Sequence, residues 1–272
     1  MANPDHLVLL RHGESEGNPP DGTTKHVVPN KEWELTDRGI RQIECAGLWL
    51  RKNFPDGFNE HHTSPLVRAV GSAFHLGLDA SWQMDDVWRE RSSGERDFVD
   101  PKIRDSDEFR ASAALRSRDT YDTSYPGGEL DVEVASRVKS GLDVISEGDA
   151  DRSVLIVAHG HLMRGAQMAI ESITGMEWME QDLKKEPGRN VRNAQILDYT
   201  TVDPETGERH ENFSFWRAVR TWRESGKKKE IVPDSKLEDD WHRIEKRRYT
   251  QDDLAMLLGH YINKRETYLT DQ

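Results

Sequence analysis

Two short stretches constrain this chain more than anything else in it. Leu7-Val8-Leu9-Leu10 and Val154-Leu155-Ile156-Val157-Ala158 are wholly apolar runs, the first ending at Arg11-His12-Gly13 and the second at His159-Gly160. An aliphatic run with no polar alternation has to be covered on both sides, which is the mark of a strand inside a parallel sheet. In open α/β sheets, ligands bind beyond the carboxyl ends of the strands. Two such strands lying side by side would bring both histidines to one crevice.

Helical periodicity fills much of the remaining chain. Ile40, Ile43, Gly47 and Leu50 follow the turn-like Thr36-Asp37-Arg38-Gly39. Ser64-Pro65 reads as a helix start, with Ser64 as N-cap and Pro65 in the first turn. Behind it Leu66, Ala69, Val70, Ala73 and Phe74 make one apolar face. Val134, Val138, Leu142 and Ile145 mark another helix; Leu162, Ala166, Ala169, Ile170 and Ile173 mark a further one, and Asn193 to Tyr199 reads as a strand. Strands alternating with helices predict an α/β fold, a three-layer α/β/α sandwich with a mostly parallel central sheet.

Two regions depart from this pattern. Residues 94–130 are charged, weakly periodic and closed by Pro126-Gly127-Gly128. They read as a loop-rich lid with one helix around Asp107–Ser117. The main domain is expected over residues 1–212, followed by a mainly helical C-terminal extension over 213–272. An apolar stripe at Leu254, Leu257, Leu258, Tyr261 and Ile262 would pack that extension on the main domain or on a second copy, giving a homodimer in the second case.

Charge narrows the function. With a formal net charge of -12, the chain is unsuited to non-specific nucleic-acid binding, so an anionic substrate would need a local basic island. No apolar run approaches the roughly 18 residues of a membrane span, and the N-terminus has no signal-peptide pattern. The single cysteine, Cys45, cannot form an internal disulfide, which fits a reducing compartment. The expectation is a cytoplasmic protein with neither nucleic acid nor membrane among its partners.

The residues beside the two strand ends could form such an island. Phosphoryl transfer needs a nucleophile, cations around the phosphoryl oxygens and an acid for the leaving group. His12 would serve as nucleophile if neutral, and adjacent Arg11 favours neutrality while offering a donor fork to phosphate. Arg68 lies near the start of a helix, where free N–H groups also suit an anion. His159 adds a second imidazole. Glu90, in Trp88-Arg89-Glu90-Arg91, is the candidate acid, with burial expected to raise its pKa.

These residues sit in recognisable motifs. Leu9-Leu10-Arg11-His12-Gly13-Glu14-Ser15 followed by Asn18 resembles the signature of the histidine phosphatase superfamily, which includes the cofactor-dependent phosphoglycerate mutases. Leu35-Thr36-Asp37-Arg38-Gly39, Ser64-Pro65-Leu66-Val67-Arg68-Ala69, Glu90-Arg91, Pro126-Gly127-Gly128-Glu129 and Val157-Ala158-His159-Gly160 are similar to further motifs of that family, in the family's order. The resemblance implies a phosphoglycerate mutase-like fold and specific roles. His12 would carry the phosphoryl group; Arg11, Asn18, Arg68, His159 and Gly160 would bind substrate; Glu90 would be general acid and then base. It also implies a small-molecule phosphate ester as substrate, and neither metal nor organic cofactor.

Departures refine the reading. Gly71-Ser72 stands where the family commonly has Gln-Thr, and Leu130 where Ser is frequent. The stretch from Glu90 to His159 is short for a phosphoglycerate mutase, which favours hydrolysis over mutase chemistry. A mutase, a non-catalytic phospholigand-binding module and a metal hydrolase using His159, His161, His61 and His62 remain as rival readings.

Overall fold

A computed structural model of the chain describes residues 2–18, 29–97, 106–118, 123–175, 177, 178, 181, 191–237, 240–245, 248–255, 258 and 259. One eight-stranded sheet organises them. The strands are β1 (His6–Arg11), β2 (Glu60–Thr63), β3 (Gln83–Met84), β4 (Ser153–Ala158), β5 (Gln195–Thr200), β6 (Phe215–Ser225), β7 (Glu230–Leu237) and β8 (His242–Arg243). Their spatial order is β3-β2-β4-β1-β5-β6-β7, with β8 also paired to β6. The strands from β3 to β1 run parallel; β5, β6 and β7 each run antiparallel to the strand before them. β4 thus has parallel neighbours on both sides, and β1 stands where the sheet changes from parallel pairing with β4 to antiparallel pairing with β5.

The helices are α1 (Asp37–Asn53), α2 (Val67–His75), α3 (Asp107–Arg118), α4 (Asp131–Ile145) and α5 (Gly160–Glu171). Two apolar cores make the three layers. On one face Val8, Leu10, Leu155 and Val157 pack with Ile43, Ala46 and Leu50 of α1 and Ala69 and Ala73 of α2. On the other, Leu7, Leu9, Val154 and Ile156 pack with Val134 and Val138 of α4 and Leu162 and Ala166 of α5. Alternate residues of one strand feed opposite cores, as the pleat requires, so Leu7 to Leu10 of β1 and Val154 to Ala158 of β4 are apolar throughout. No described helix is long and apolar enough to cross a membrane.

Two expectations need correction. The chain beyond residue 212 is not mainly helical where it is described: β6 and β7 extend the central sheet, and β5 pairs with β6 over six residues. A boundary at 212 therefore falls between two paired strands. A helical turn does occur at 251–255, but Leu254 and Leu258 are exposed; Leu257, Tyr261 and Ile262 lie outside the described residues. Ser64 is also not the N-cap of α2, which starts at Val67 behind Leu66. Its hydroxyl accepts from the Leu66 N–H at 3.3 Å, one residue ahead of the helix, and is shared with a second partner described below. The lid contains the expected helix as α3, while residues 98–105 and 119–122 lie outside the described residues.

Candidate active site

Register sets the two histidines side by side. β1 and β4 pair in parallel with Arg11 opposite Ala158, so His12 and His159 are the next residues out on adjacent strands. The His12 N–H donates to the Ala158 carbonyl at 3.0 Å, extending the ladder by one bond. Their rings lie 5.1 Å apart, centroid to centroid, and both are buried.

Gly13 makes this strand end possible. A Cβ there would sit 2.4 Å from the Gly39 carbonyl oxygen, and one on Gly39 would sit 2.0 Å from the Glu14 carbonyl oxygen. The turn after His12 and the start of α1 touch backbone to backbone, a contact only glycine permits. Thr36 caps α1 by accepting from the Gly39 N–H at 3.1 Å. The Gly13 N–H donates to Ser72 Oγ at 3.2 Å, giving that departure from the family motif a defined partner.

His12 holds one tautomer. Nδ1 is 2.6 Å from the Gly13 carbonyl oxygen, which can only accept, so the proton belongs on Nδ1 and Nε2 keeps its lone pair. Arg68 Nε lies 3.3 Å from that Nε2. The imidazole pKa is held well below its ordinary value by burial first, then by the charge of Arg68, with the neighbouring His159 and the charge of Arg11 adding to it. His12 is thus a neutral imidazole with Nε2 in the cationic cluster. His159 is likewise held neutral by burial and by Arg68. Its Nε2 is 2.7 Å from Ser64 Oγ, and its Nδ1 is buried with no hydrogen-bond partner.

Two arginines flank the pair. Arg68, buried, donates from Nη1 to the Asn30 carbonyl at 2.8 Å and stacks 5.6 Å from the Trp33 ring. Burial draws its pKa down to about 10, which leaves it charged at neutrality. Arg11 donates from Nη1 to the Val191 carbonyl at 2.6 Å, while its Nε is buried and unpartnered. Gly160, the first residue of α5, lies against this side chain: a Cβ there would be 3.4 Å from Arg11 Cζ. Burial lowers the pKa of Arg11, as does the charge of Arg164, and Glu90 opposes them.

Glu90 joins the group but corrects one expectation. Its carboxylate accepts from the N–H groups of Arg91 (2.9 Å), His161 (3.1 Å) and Leu162 (3.2 Å). It therefore caps the start of α5. Burial pushes its pKa up, but His161, His159 and the Arg91 N–H together outweigh that, and the pKa ends well below the usual carboxylate range. In this state Glu90 is ionised, whereas burial alone suggested a raised pKa.

Arg11, His12, Arg68, Glu90, His159 and Gly160 thus assemble at one end of the sheet. Asn18 is nearby with its amide used in closing the loop: Oδ1 accepts from the Ser15 N–H (2.8 Å) and Oγ (2.9 Å), and Nδ2 donates to Asn193 Oδ1 at 3.1 Å. Asn193, Ser64, Ser72 and Trp33 were not foreseen as parts of the site. Each acts through a neighbour distant in sequence, which spacing alone does not reveal. Of the rival metal ligands, His61 and His62 are successive strand residues and point to opposite faces, His61 against Trp82 and His62 toward Glu60.

Known proteins resemble this chain in sequence and in fold. A sequence profile of the histidine phosphatase superfamily (branch 1) matches residues 7–187. A 2,3-bisphosphoglycerate-dependent phosphoglycerate mutase of Methylobacterium radiotolerans is 32% identical over 174 residues, covering 62% of this chain and 80% of that protein. Among solved structures, a mycobacterial glucosyl-3-phosphoglycerate phosphatase superposes with a TM-score of 0.57 at 25% identity, over 72% of this chain and 92% of its own. A phosphoserine phosphatase of Entamoeba histolytica shares the fold, with a TM-score of 0.54 at 18% identity over 72% of this chain and 90% of its own. With the motifs in order and the two histidines in register, the chain belongs to the histidine phosphatase superfamily.

Proposed function

We propose that this protein hydrolyses a small-molecule phosphate monoester through a phosphohistidine on His12. The observation that carries the proposal is the buried cluster itself. Two guanidinium groups and two imidazoles gather there: Arg68 Nε lies 3.3 Å from His12 Nε2, the His159 ring is 5.1 Å from that of His12, and Arg11 Nε and His159 Nδ1 are buried without a hydrogen-bond partner, a donor set suited to the oxygens of a phosphate.

In the first step the lone pair of His12 Nε2 forms a bond to phosphorus as the ester P–O bond breaks. Arg11, Arg68 and His159 stabilise the charge on the phosphoryl oxygens, and the departing oxygen takes a proton from Glu90. In the second step water attacks phosphorus and the P–N bond breaks. The water's proton passes to Glu90, so inorganic phosphate leaves and His12 is restored. Glu90 must be protonated to begin. A phosphate brought beside it is a like charge, which raises its proton affinity from the depressed value. The reaction as written uses neither metal nor organic cofactor.

Mutase chemistry is the second reading, favoured by the names of the curated relatives. It uses the same first step but excludes water and returns the phosphoryl group to a second hydroxyl. The test compares wild type with His12→Ala on p-nitrophenyl phosphate in excess chelator. Hydrolysis by wild type alone supports a metal-independent histidine phosphatase. Silence from both, with phosphoryl exchange between phosphoglycerates, would move the assignment to the mutase. Activity surviving in the variant would sink the mechanism.

A further inference from the structure

The Pro126-Gly127-Gly128-Glu129 motif has no part in the chemistry above, yet it is built against the segment that carries Glu90. The two ends of the lid are pinned to each other at its base. Glu95 N–H donates to the Pro126 carbonyl at 3.0 Å, and Glu129 N–H donates to the Ser92 carbonyl at 2.9 Å. Gly94, at φ +55°, has its Cα face against this turn; a Cβ there would lie 2.0 Å from the Pro126 oxygen.

Glu129 and Arg137 of α4 then form one brace around the Glu90 backbone. Arg137 Nε and Nη2 donate to the two carboxylate oxygens of Glu129 at 3.1 and 3.2 Å. The same guanidinium donates from Nη1 to the carbonyls of Val87 (2.7 Å) and Arg89 (3.1 Å). On the other side of Glu90, the Ser92 N–H donates to Glu129 Oε2 at 2.7 Å. The segment is therefore held before and after Glu90 by one largely buried ion pair, with side chains 17% and 16% exposed. Trp88, buried under Gly141 of α4, fixes the same stretch from the apolar side.

From this geometry we infer that Glu129 and Arg137 are positioning residues that aim the Glu90 carboxyl at the leaving-group oxygen. The inference rests on the reading of Glu90 as the general acid. Proton transfer to a leaving group needs a donor within hydrogen-bond reach, and an ångström of misplacement costs about 100-fold in rate. Apart from the Arg89 side chain, whose Nη2 donates to Glu129 Oε1 at 3.1 Å, the brace touches main-chain groups around Glu90, so its loss loosens the acid while leaving His12, Arg11 and Arg68 in place.

The experiment compares the full chain with Glu129→Gln, Arg137→Lys and Glu90→Gln on two substrates: p-nitrophenyl phosphate, whose leaving group needs little protonation, and a simple alkyl phosphate, whose leaving group needs much. Circular dichroism and thermal melting establish that each variant is folded. The Glu129→Gln change keeps the shape of the carboxylate, and Arg137→Lys keeps the charge without the fork, so at least one brace variant is expected to fold. The brace variants should lose about 100-fold in kcat on the alkyl phosphate and about threefold on the aryl phosphate, with KM little changed. Their kcat/KM profiles should also move the limb due to Glu90 to higher pH. Equal losses on both substrates in a folded brace variant, while Glu90→Gln shows the asymmetry, overturn the positioning role. If Glu90→Gln itself loses equally on both, the reading of Glu90 as acid fails, and the inference falls with it.

Discussion

The ends of β1 and β4 begin alike and finish differently. Each is a fully buried aliphatic strand that stops at a His-Gly pair, and the two histidines leave the sheet in register. The chain treats them as opposites. His12 gives its Nδ1 proton to its own loop and keeps Nε2 beside Arg68; His159 engages Nε2 with Ser64 and leaves Nδ1 without a partner. The glycines differ as well. Gly13 is jammed against backbone, whereas the atoms nearest a Cβ on Gly160 belong to the side chain of Arg11. Equivalent sequence context thus yields one imidazole whose unprotonated Nε2 accepts from Arg68 Nε in the cationic cluster and another that lines it.

That contrast can be broken by substitution. His12→Ala removes the proposed nucleophile, and turnover should fall on the order of 10⁴-fold or more. His159→Ala removes one stabilising donor and should cost roughly 10²- to 10³-fold in kcat. Initial rates on p-nitrophenyl phosphate measure both, and equal losses would erase the distinction between the histidines.

The glycines should separate in stability rather than rate. Gly13→Ala drives a methyl into the Gly39 carbonyl, and the cost usual for overpacking, about 1–3 kcal/mol, is expected as a minimum. Gly160→Ala adds a methyl at 3.4 Å from a side chain and should leave thermal stability within about 1 kcal/mol, with KM raised as Arg11 is crowded. Urea titration of both variants decides. A Gly13→Ala protein as stable as wild type would show that the turn relaxes freely.

The histidines converge in their response to pH. Both have folded pKa values well below 6.5, so between the folded and unfolded values the unfolded chain binds more protons. Their contribution to stability is present above pH 6.5 and is lost as pH falls toward the folded values, at up to about 1.4 kcal/mol per pH unit for each ring. Glu90, with its folded pKa depressed below 4.5, adds to the loss further down the scale. Unfolding free energies from urea titrations at successive pH values from about 7 to about 5 should therefore decline. In NMR titrations neither His12 nor His159 should change protonation between about pH 8 and about pH 6, and a transition of either ring in that window would overturn the assignment. The smallest effect expected is for Ser64→Ala. Losing the contact to His159 should cost about tenfold in kcat, and an unchanged rate would show that the ring keeps its place without that hydroxyl.

Much of the fold was legible because it rests on short-range pattern. Aliphatic runs, helical spacing and Thr36-Asp37-Arg38-Gly39 identified β1, β4, α1, α4 and α5, and the motif order gathered His12, Arg68, Glu90 and His159. The far side of the sheet was not legible. In β6, Trp216 and Ala218 join one core while Val219 and Trp222 join the other, and a register shift between Arg220 and Trp222 interrupts the alternation. A strand covered on both faces and broken by a bulge has neither the period of two nor that of 3.6, so its composition resembled a helical, charged tail.

The sequence by itself determined the chemistry available: a strand-end histidine, two arginines, a second histidine and a carboxylate, each tied to a local motif. The tertiary structure decided their states. It placed the His12 proton on Nδ1, set the Ser64 hydroxyl against His159 and left the N-cap of α2 to Leu66, and laid Glu90 on the N–H groups of α5, where it is a carboxylate instead of an acid. Residue type is written in the chain, but the proton affinity of a buried group depends on the charges and dipoles packed around it, and those come from segments far apart in sequence.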